Sequence, residues 1–203
     1  MTKKESLLKL IISLTLITLV AGIALAAVFS VTKEPIEKMK LENKNAAIKL
    51  VLSGFEGEIA APVELTLNDD KQPVIIYPAF QDGELYAVAI ETFTNKAFSG
   101  YFSIMVGLDA NGVILGTEVL QANETPGLGD KIDKKKSDFP LQFVGKNLNN
   151  FILKVKKDGG EIDAITASTI TSRAFCDAID RAFHAFQSYS ENLTENKKEA
   201  SNE

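Results

Sequence analysis

Histidine and cysteine are nearly absent from this chain: His184 and Cys176 are the only examples among 203 residues. One cysteine excludes a disulfide framework, and one of each excludes a metal centre built on several histidine or cysteine ligands. A serine-hydrolase triad would have to recruit His184, so hydrolytic machinery is poorly supplied. A large excess of positive charge is lacking as well. The net charge is −5 and lysines occur only in short clusters, which argues against nucleic acid as a partner. No internal repeat is visible. Redox chemistry, if the chain performs any, must come from a cofactor.

What remains is the composition of one folded domain with appendages, 45% hydrophobic and 24% charged. Between Lys9 and Lys33 the sequence carries no charge, from Leu10 to Thr32. At about 1.5 Å per residue that run crosses a hydrocarbon core about 30 Å thick. Ala24-Leu25-Ala26 imitates a signal-peptide cleavage site, but the apolar run is long for a signal peptide, so a retained anchor is expected. No cysteine stands near it to accept a lipid. Lys3, Lys4 and Lys9 on one side nearly balance Lys33, Lys38, Lys40 and Lys44 on the other. A short basic tail before a first hydrophobic helix favours an inside N-terminus and an outside domain.

The organisation expected is a tail over residues 1–9, a transmembrane helix over 10–32 and a connecting helix over 33–54. A domain over 55–189 and a polar, disordered tail over 190–203 complete it. In the connecting helix Pro35 suits the first turn, Gly54 suits the end, and Ile36, Met39, Ala46, Ala47 and Leu50 recur at helical spacing around a polar Asn43. Strands are predicted over Val74–Tyr77 and Leu85–Thr92 around Asp82-Gly83, and over Ser103–Leu108 and Val113–Leu120 around Ala110-Asn111-Gly112. A further strand is predicted over Phe151–Lys156. The last helix should run from about Ser172 to Tyr189 with Phe175, Ile179, Ala182, Phe183 and Phe186 buried. Arg173, Asp177 and Arg181, spaced by four, should pair on its wet side with His184 solvated there and Cys176 partly buried. Lys134-Lys135-Lys136 reads as a solvated face, secondarily as a contact for an acidic partner. Strands followed by segregated helices define an α+β class.

Asp163-Ala164-Ile165-Thr166-Ala167-Ser168-Thr169-Ile170-Thr171-Ser172 crowds five hydroxyls onto the entry to that helix. A helix start offers unpaired N–H groups and a positive dipole end, which suit a phosphate. On residue chemistry alone an ordinary N-cap at Thr171 or Ser172 accounts for it equally. Upstream, Glu124-Thr125-Pro126-Gly127-Leu128-Gly129-Asp130-Lys131 reads by itself as a Pro-Gly turn.

Together, in this order, the two segments resemble the FMN-binding subunits of the Rnf and Na⁺-translocating NADH:quinone reductase complexes. The resemblance extends from the anchor to the last helix. It implies that a flavin transferase joins FMN through its phosphate to the last residue of Thr166-Ala167-Ser168-Thr169, making Thr169 the acceptor. Ala167 stands where glycine is usual and Ser168 where alanine is usual, which leaves Ser168 and Thr171 as alternative acceptors. Asp163 matches the leading acid of the pattern and is assigned a role during attachment. Glu124, Thr125, Gly127, Leu128 and Gly129 are implied to lie against the flavin, with Ile170 beside the acceptor. The histidine frequent ahead of this loop is replaced by Gln121-Ala122-Asn123.

Length and a single anchor look more like the G subunit of the Rnf complex than the C subunit of the quinone reductase. The implied function is electron relay in a membrane complex linking ferredoxin and NAD⁺ to Na⁺ or H⁺ translocation. The implied partners are iron–sulfur and flavin subunits, the transferase and membrane lipid, in a prokaryotic cytoplasmic membrane. None of the cluster sites is encoded here, since one cysteine cannot hold one. A stand-alone anchored flavoprotein and a non-redox anchored binding module are the readings from other classes.

Overall fold

A computed structural model describes residues 3–67 and 72–200. The chain divides at Asn43/Lys44 into two units. Most of the first unit is α-helical, belonging to α1 (Lys3–Val51), whose last turns belong to the second. Among the described residues α1 is the one helix long and apolar enough to cross a membrane. Its large apolar side chains from Leu7 to Val31 are exposed. The connecting helix expected as a separate element is instead continuous with the anchor. Pro35 sits inside α1, where its missing N–H costs one hydrogen bond without ending the helix.

The second unit is an antiparallel sheet: β1 (Glu58–Ile59), β2 (Val63–Leu65), β3 (Val74–Gln81), β4 (Glu84–Ala97), β5 (Gly100–Asp109) and β6 (Ile114–Ala122). β3 to β6 form a meander, and β1 and β2 both pair with β3 at the other edge. Both hairpins expected from Asp82-Gly83 and Asn111-Gly112 are present, with strands longer than the apolar pattern indicated. Alternation assigns the two faces. Val88 and Ile90 of β4 and Phe102, Ile104, Val106 and Leu108 of β5 join one core. Ala87, Ala89 and Met105 join the other with Ala47, Ile48, Val51 and Leu52 at the end of α1. Of the apolar positions read at helical spacing, Ala47 is buried, while Ile36, Met39, Ala46 and Leu50 are exposed. Ala47, Ile48, Val51 and Leu52 form the apolar stripe of these last turns that meets the sheet. Gly107 and Gly116, paired across β5 and β6, let the Val51 backbone lie directly on the sheet.

The other face is covered by α2 (Thr169–Ala200), which begins earlier and ends later than expected. Its predicted stripe is buried: Phe175, Ile179, Ala182, Phe183 and Phe186. Phe102, Phe139, Phe143 and Phe175 form an aromatic cluster at its start, with ring centroids 5.1–6.3 Å apart in neighbouring pairs. Of the tail expected as disordered over 190–203, the part from Ser190 to Ala200 continues this helix and 201–203 lie outside the described residues; Leu193 still packs on the core. The expected strand at Phe151–Lys156 is also corrected. It contributes only the Val155↔Ile162 bridge, then a 3₁₀ turn at Lys156–Asp158, because its backbone pairs with its own continuation at Ile162.

Candidate functional site

The path from β6 into the following 3₁₀ turn (Gly129–Ile132) is the Glu124–Gly129 loop. Gly127 adopts φ +75°, the left-handed conformation that a Pro-Gly turn requires. Thr125 accepts from the Leu128 N–H at 3.1 Å and closes the turn. Glu124 is buried and bridges two other segments. Its Oε1 accepts from the Ser99 N–H at 2.9 Å and its Oε2 from the Thr171 hydroxyl at 2.7 Å. A charged acceptor held by two donors is a strong tie. It fastens the β4–β5 hairpin tip and the first turn of α2 to one carboxylate. Gly129 leaves the space that this tie occupies: a Cβ there would lie 2.9 Å from Thr171 Oγ1 and 3.0 Å from Glu124 Cβ.

The hydroxyl-rich segment folds into a tight entry to α2. Ser168 N–H donates to the Ile165 carbonyl at 3.0 Å, and Ser172 N–H closes the first helical bond on the Ser168 carbonyl at 3.0 Å. The Ser172 hydroxyl also donates to that carbonyl while accepting from the Ile165 N–H at 2.9 Å. Ser172 thus staples the turn from inside the helix instead of capping its end, as does Thr171 through Glu124. Ala167 is forced to φ +61°. That conformation explains why a glycine suits this position: a Cβ there costs about 1–2 kcal/mol.

Exposure separates the five hydroxyls. Thr171 is 1% exposed and Ser172 0%, both consumed by internal hydrogen bonds; Ser168 is 7% exposed. Thr169 is half-buried and Thr166 exposed. Thr169 lines a cleft of about 290 Å³ with Glu124, Thr125, Leu128, Gly129, Ala167, Ser168, Ile170 and Thr171. The two sequence segments therefore meet at one concave site. Asp163, Thr166 and Gly127, all expected at the site, do not line it. Asp163 is exposed and ion-paired with Lys156 at 2.7 Å, its backbone bracketed by the Gln142 amide at 2.9 and 3.2 Å.

A larger groove, about 570 Å³, shares Ile170 and runs beside Arg173, Cys176 and Asp177. Within it Arg173 pairs with Asp158 and not, as expected, with Asp177 along α2. Arg173 grips Asp158 with two bonds of 2.7 Å, and Asp177 binds Lys96 at 2.6 Å and the Thr94 hydroxyl at 2.8 Å. Arg181 lies over the Phe93 ring at 4.7 Å. Arg173 holds the Asp158 carboxyl below the usual carboxylate range. Burial pushes the Cys176 thiol up to about 12, so it stays protonated and unreactive at neutral pH. His184 is exposed beside Asp180, as expected. The lysine run Lys134–Lys136 is exposed, as expected, while Lys134 pairs with Glu118 and Lys136 with Asp130.

Residues 98–184 match the family profile of an FMN-binding domain. The chain is 34% identical to the G subunit of the ion-translocating oxidoreductase complex of Shewanella baltica over 183 residues, covering 84% of this chain and 86% of that protein. Its counterpart in Vibrio cholerae is 34% identical over 176 residues, 83% of this chain and 84% of that one. The G subunit of Shewanella loihica is 42% identical over 125 residues, 60% of this chain and 59% of its own. The chain belongs to the G-subunit family of ion-translocating oxidoreductase complexes.

Within this family framework, two neighbours of the cleft escape a reading of the sequence. Phe98 completes the lining, and Ser99 supplies a donor to Glu124. The available signal was an aromatic residue at a hairpin tip just ahead of Gly100, a place where polar residues and glycine are usual.

Proposed function

We propose that this chain is a membrane-anchored electron carrier whose FMN is esterified through its phosphate to Thr169. The observation that carries the reading is the position of Thr169. Its hydroxyl stands at the first residue of α2, half-buried, in a cleft walled by the Glu124–Gly129 loop.

The residues fit the group. First-turn N–H groups of α2 have no carbonyl one turn back and, with the helix dipole, favour a phosphoryl charge at Thr169. Thr171, the alternative acceptor, is buried and already donates to Glu124, and Ser168 is nearly enclosed. When bound, the isoalloxazine ring supplies the electron-transfer chemistry that no side chain here can provide. The protein's own part is positional. Glu124 holds loop, hairpin and helix together, while Leu128 and Ile170 offer apolar surface 40% and 49% exposed. A covalent tether keeps an outward-facing carrier from losing its cofactor by dissociation.

The chain works as the G subunit of a complex that relays electrons between ferredoxin and NAD⁺ and couples them to Na⁺ or H⁺ translocation. It is not catalytically complete alone, and depends on iron–sulfur and flavin subunits. Residues 10–32 of α1 lie in the lipid of the cytoplasmic membrane, with the N-terminus inside and the FMN domain on the outer side. Asp163, outside the cleft and exposed, serves recognition by the flavin transferase; attachment at the wild-type rate in Asp163→Asn would refute that role.

The test is the intact mass of denatured protein produced with an active transferase, followed by peptide mapping. A gain of FMN less one water on Thr169, lost in Thr169→Ala, is expected. The same gain on Ser168 would move the acceptor, and no gain would return the segment to a stapled helix start.

A further inference from the structure

The cleft's outer rim carries a side chain that neither segment contains. Phe98 is 68% exposed at the tip of the β4–β5 hairpin, yet it lines the same cleft as Thr169. Its place is costly on local grounds. Ala97 pairs with Gly100, so Phe98 and Ser99 form a two-residue connection. Such positions favour glycine, asparagine and aspartate, and a large apolar ring left mostly exposed there gains little from the fold's own packing. Nor is the tip free to swing away. The Ser99 N–H is bonded to Glu124 Oε1, and the opposite oxygen of that carboxylate holds Thr171, two residues from Thr169. The carboxylate therefore fixes an exposed aromatic residue at the cleft that also contains the proposed attachment hydroxyl.

We infer that Phe98 is a flavin-contact residue, packing its ring against the isoalloxazine and closing the apolar rim begun by Leu128 and Ile170. The inference rests on the proposed FMN attachment and adds to it the orientation of the ring. A flavin tethered at Thr169 would be held between Leu128, Ile170 and Phe98, which line the same cleft. Aromatic rings in contact favour offset stacking or edge contact, and the planar cofactor offers both. Glu124 is then a positioning residue for Phe98 as well as for the helix start.

The experiment uses the full-length chain in detergent, produced with the transferase and checked for the FMN mass gain. Phe98→Trp places an electron-rich ring at the contact and is expected to remove most of the flavin fluorescence. Tyr86→Trp, an exposed site outside the cleft, leaves the fluorescence unchanged. Phe98→Ala retains the mass gain but makes the flavin more accessible to iodide quenching. Flavinylated Phe98→Trp as bright as the Tyr86→Trp control would overturn the contact; should the tryptophan variant fail to fold, unchanged iodide quenching in Phe98→Ala would overturn it equally. Absence of the mass gain in the wild-type protein is a separate result, which removes the attachment and the contact together.

Discussion

Gly129→Ala tests whether the Glu124 tie holds the site together. The added methyl would stand 2.9 Å from Thr171 Oγ1 and 3.0 Å from Glu124 Cβ, closer than such atoms approach without movement. Neither neighbour can yield cheaply, because Glu124 is bonded to Ser99 at 2.9 Å and to Thr171 at 2.7 Å. Hydrogen bonds to a charged group contribute about 1.5–3 kcal/mol each. Losing one and weakening the other gives a cost of about 3 kcal/mol. For a chain of this size that is a fall in Tm of about 6–12 °C. Gly127→Ala is the comparison: its φ is +75° but no atom lies within 4 Å of a Cβ, so only the left-handed strain of about 1–2 kcal/mol applies. Thermal unfolding followed by circular dichroism on the full chain reads both. Equal shifts for the two variants, or a Gly129→Ala shift of no more than about 2 °C, would refute the reasoning that Glu124 is pinned.

Two further outcomes follow from single positions. Ala167→Gly relieves the φ of +61° and is expected to raise stability by about 0.5–1 kcal/mol, after the greater freedom of glycine in the unfolded chain is subtracted; denaturant titration measures it, and a loss of stability would contradict the strain. The Cys176 thiol, raised by burial from 9.0 to about 12, keeps in the folded chain a proton that the unfolded chain releases. Its contribution is full below pH 9 and is lost at about 1.4 kcal/mol per pH unit as pH rises from 9 toward 12. Cys176→Ala should lack that component of the slope, and parallel pH–stability profiles for the two proteins would dismiss it.

Local sequence determined the elements whose signals are local. The uncharged run Leu10–Thr32 made α1, and the Asp82-Gly83 and Asn111-Gly112 turns made the hairpins. Apolar spacing at Phe175, Ile179, Ala182 and Phe186 made the buried face of α2. Such signals depend on period and turn chemistry within a few residues. The Glu124–Gly129 and Asp163–Ser172 segments were legible too, as resemblances, but nothing in either spelled out their contact. Tertiary structure decided that contact through bonds across 25 residues, Ser99 to Glu124, and across 47, Glu124 to Thr171. It also sorted five similar hydroxyls into two internal staples at Thr171 and Ser172, a buried Ser168, an exposed Thr166 and the half-buried Thr169, because burial is a property of the neighbours that assemble around a residue. The same reason turned Phe151–Lys156 from a strand into a self-bridged loop and carried α2 past Ser190, where Leu193 found the core. Phe98 had a local pattern that argued for a polar turn, and only the folding of β6 and α2 beside it gave that ring a cleft to line.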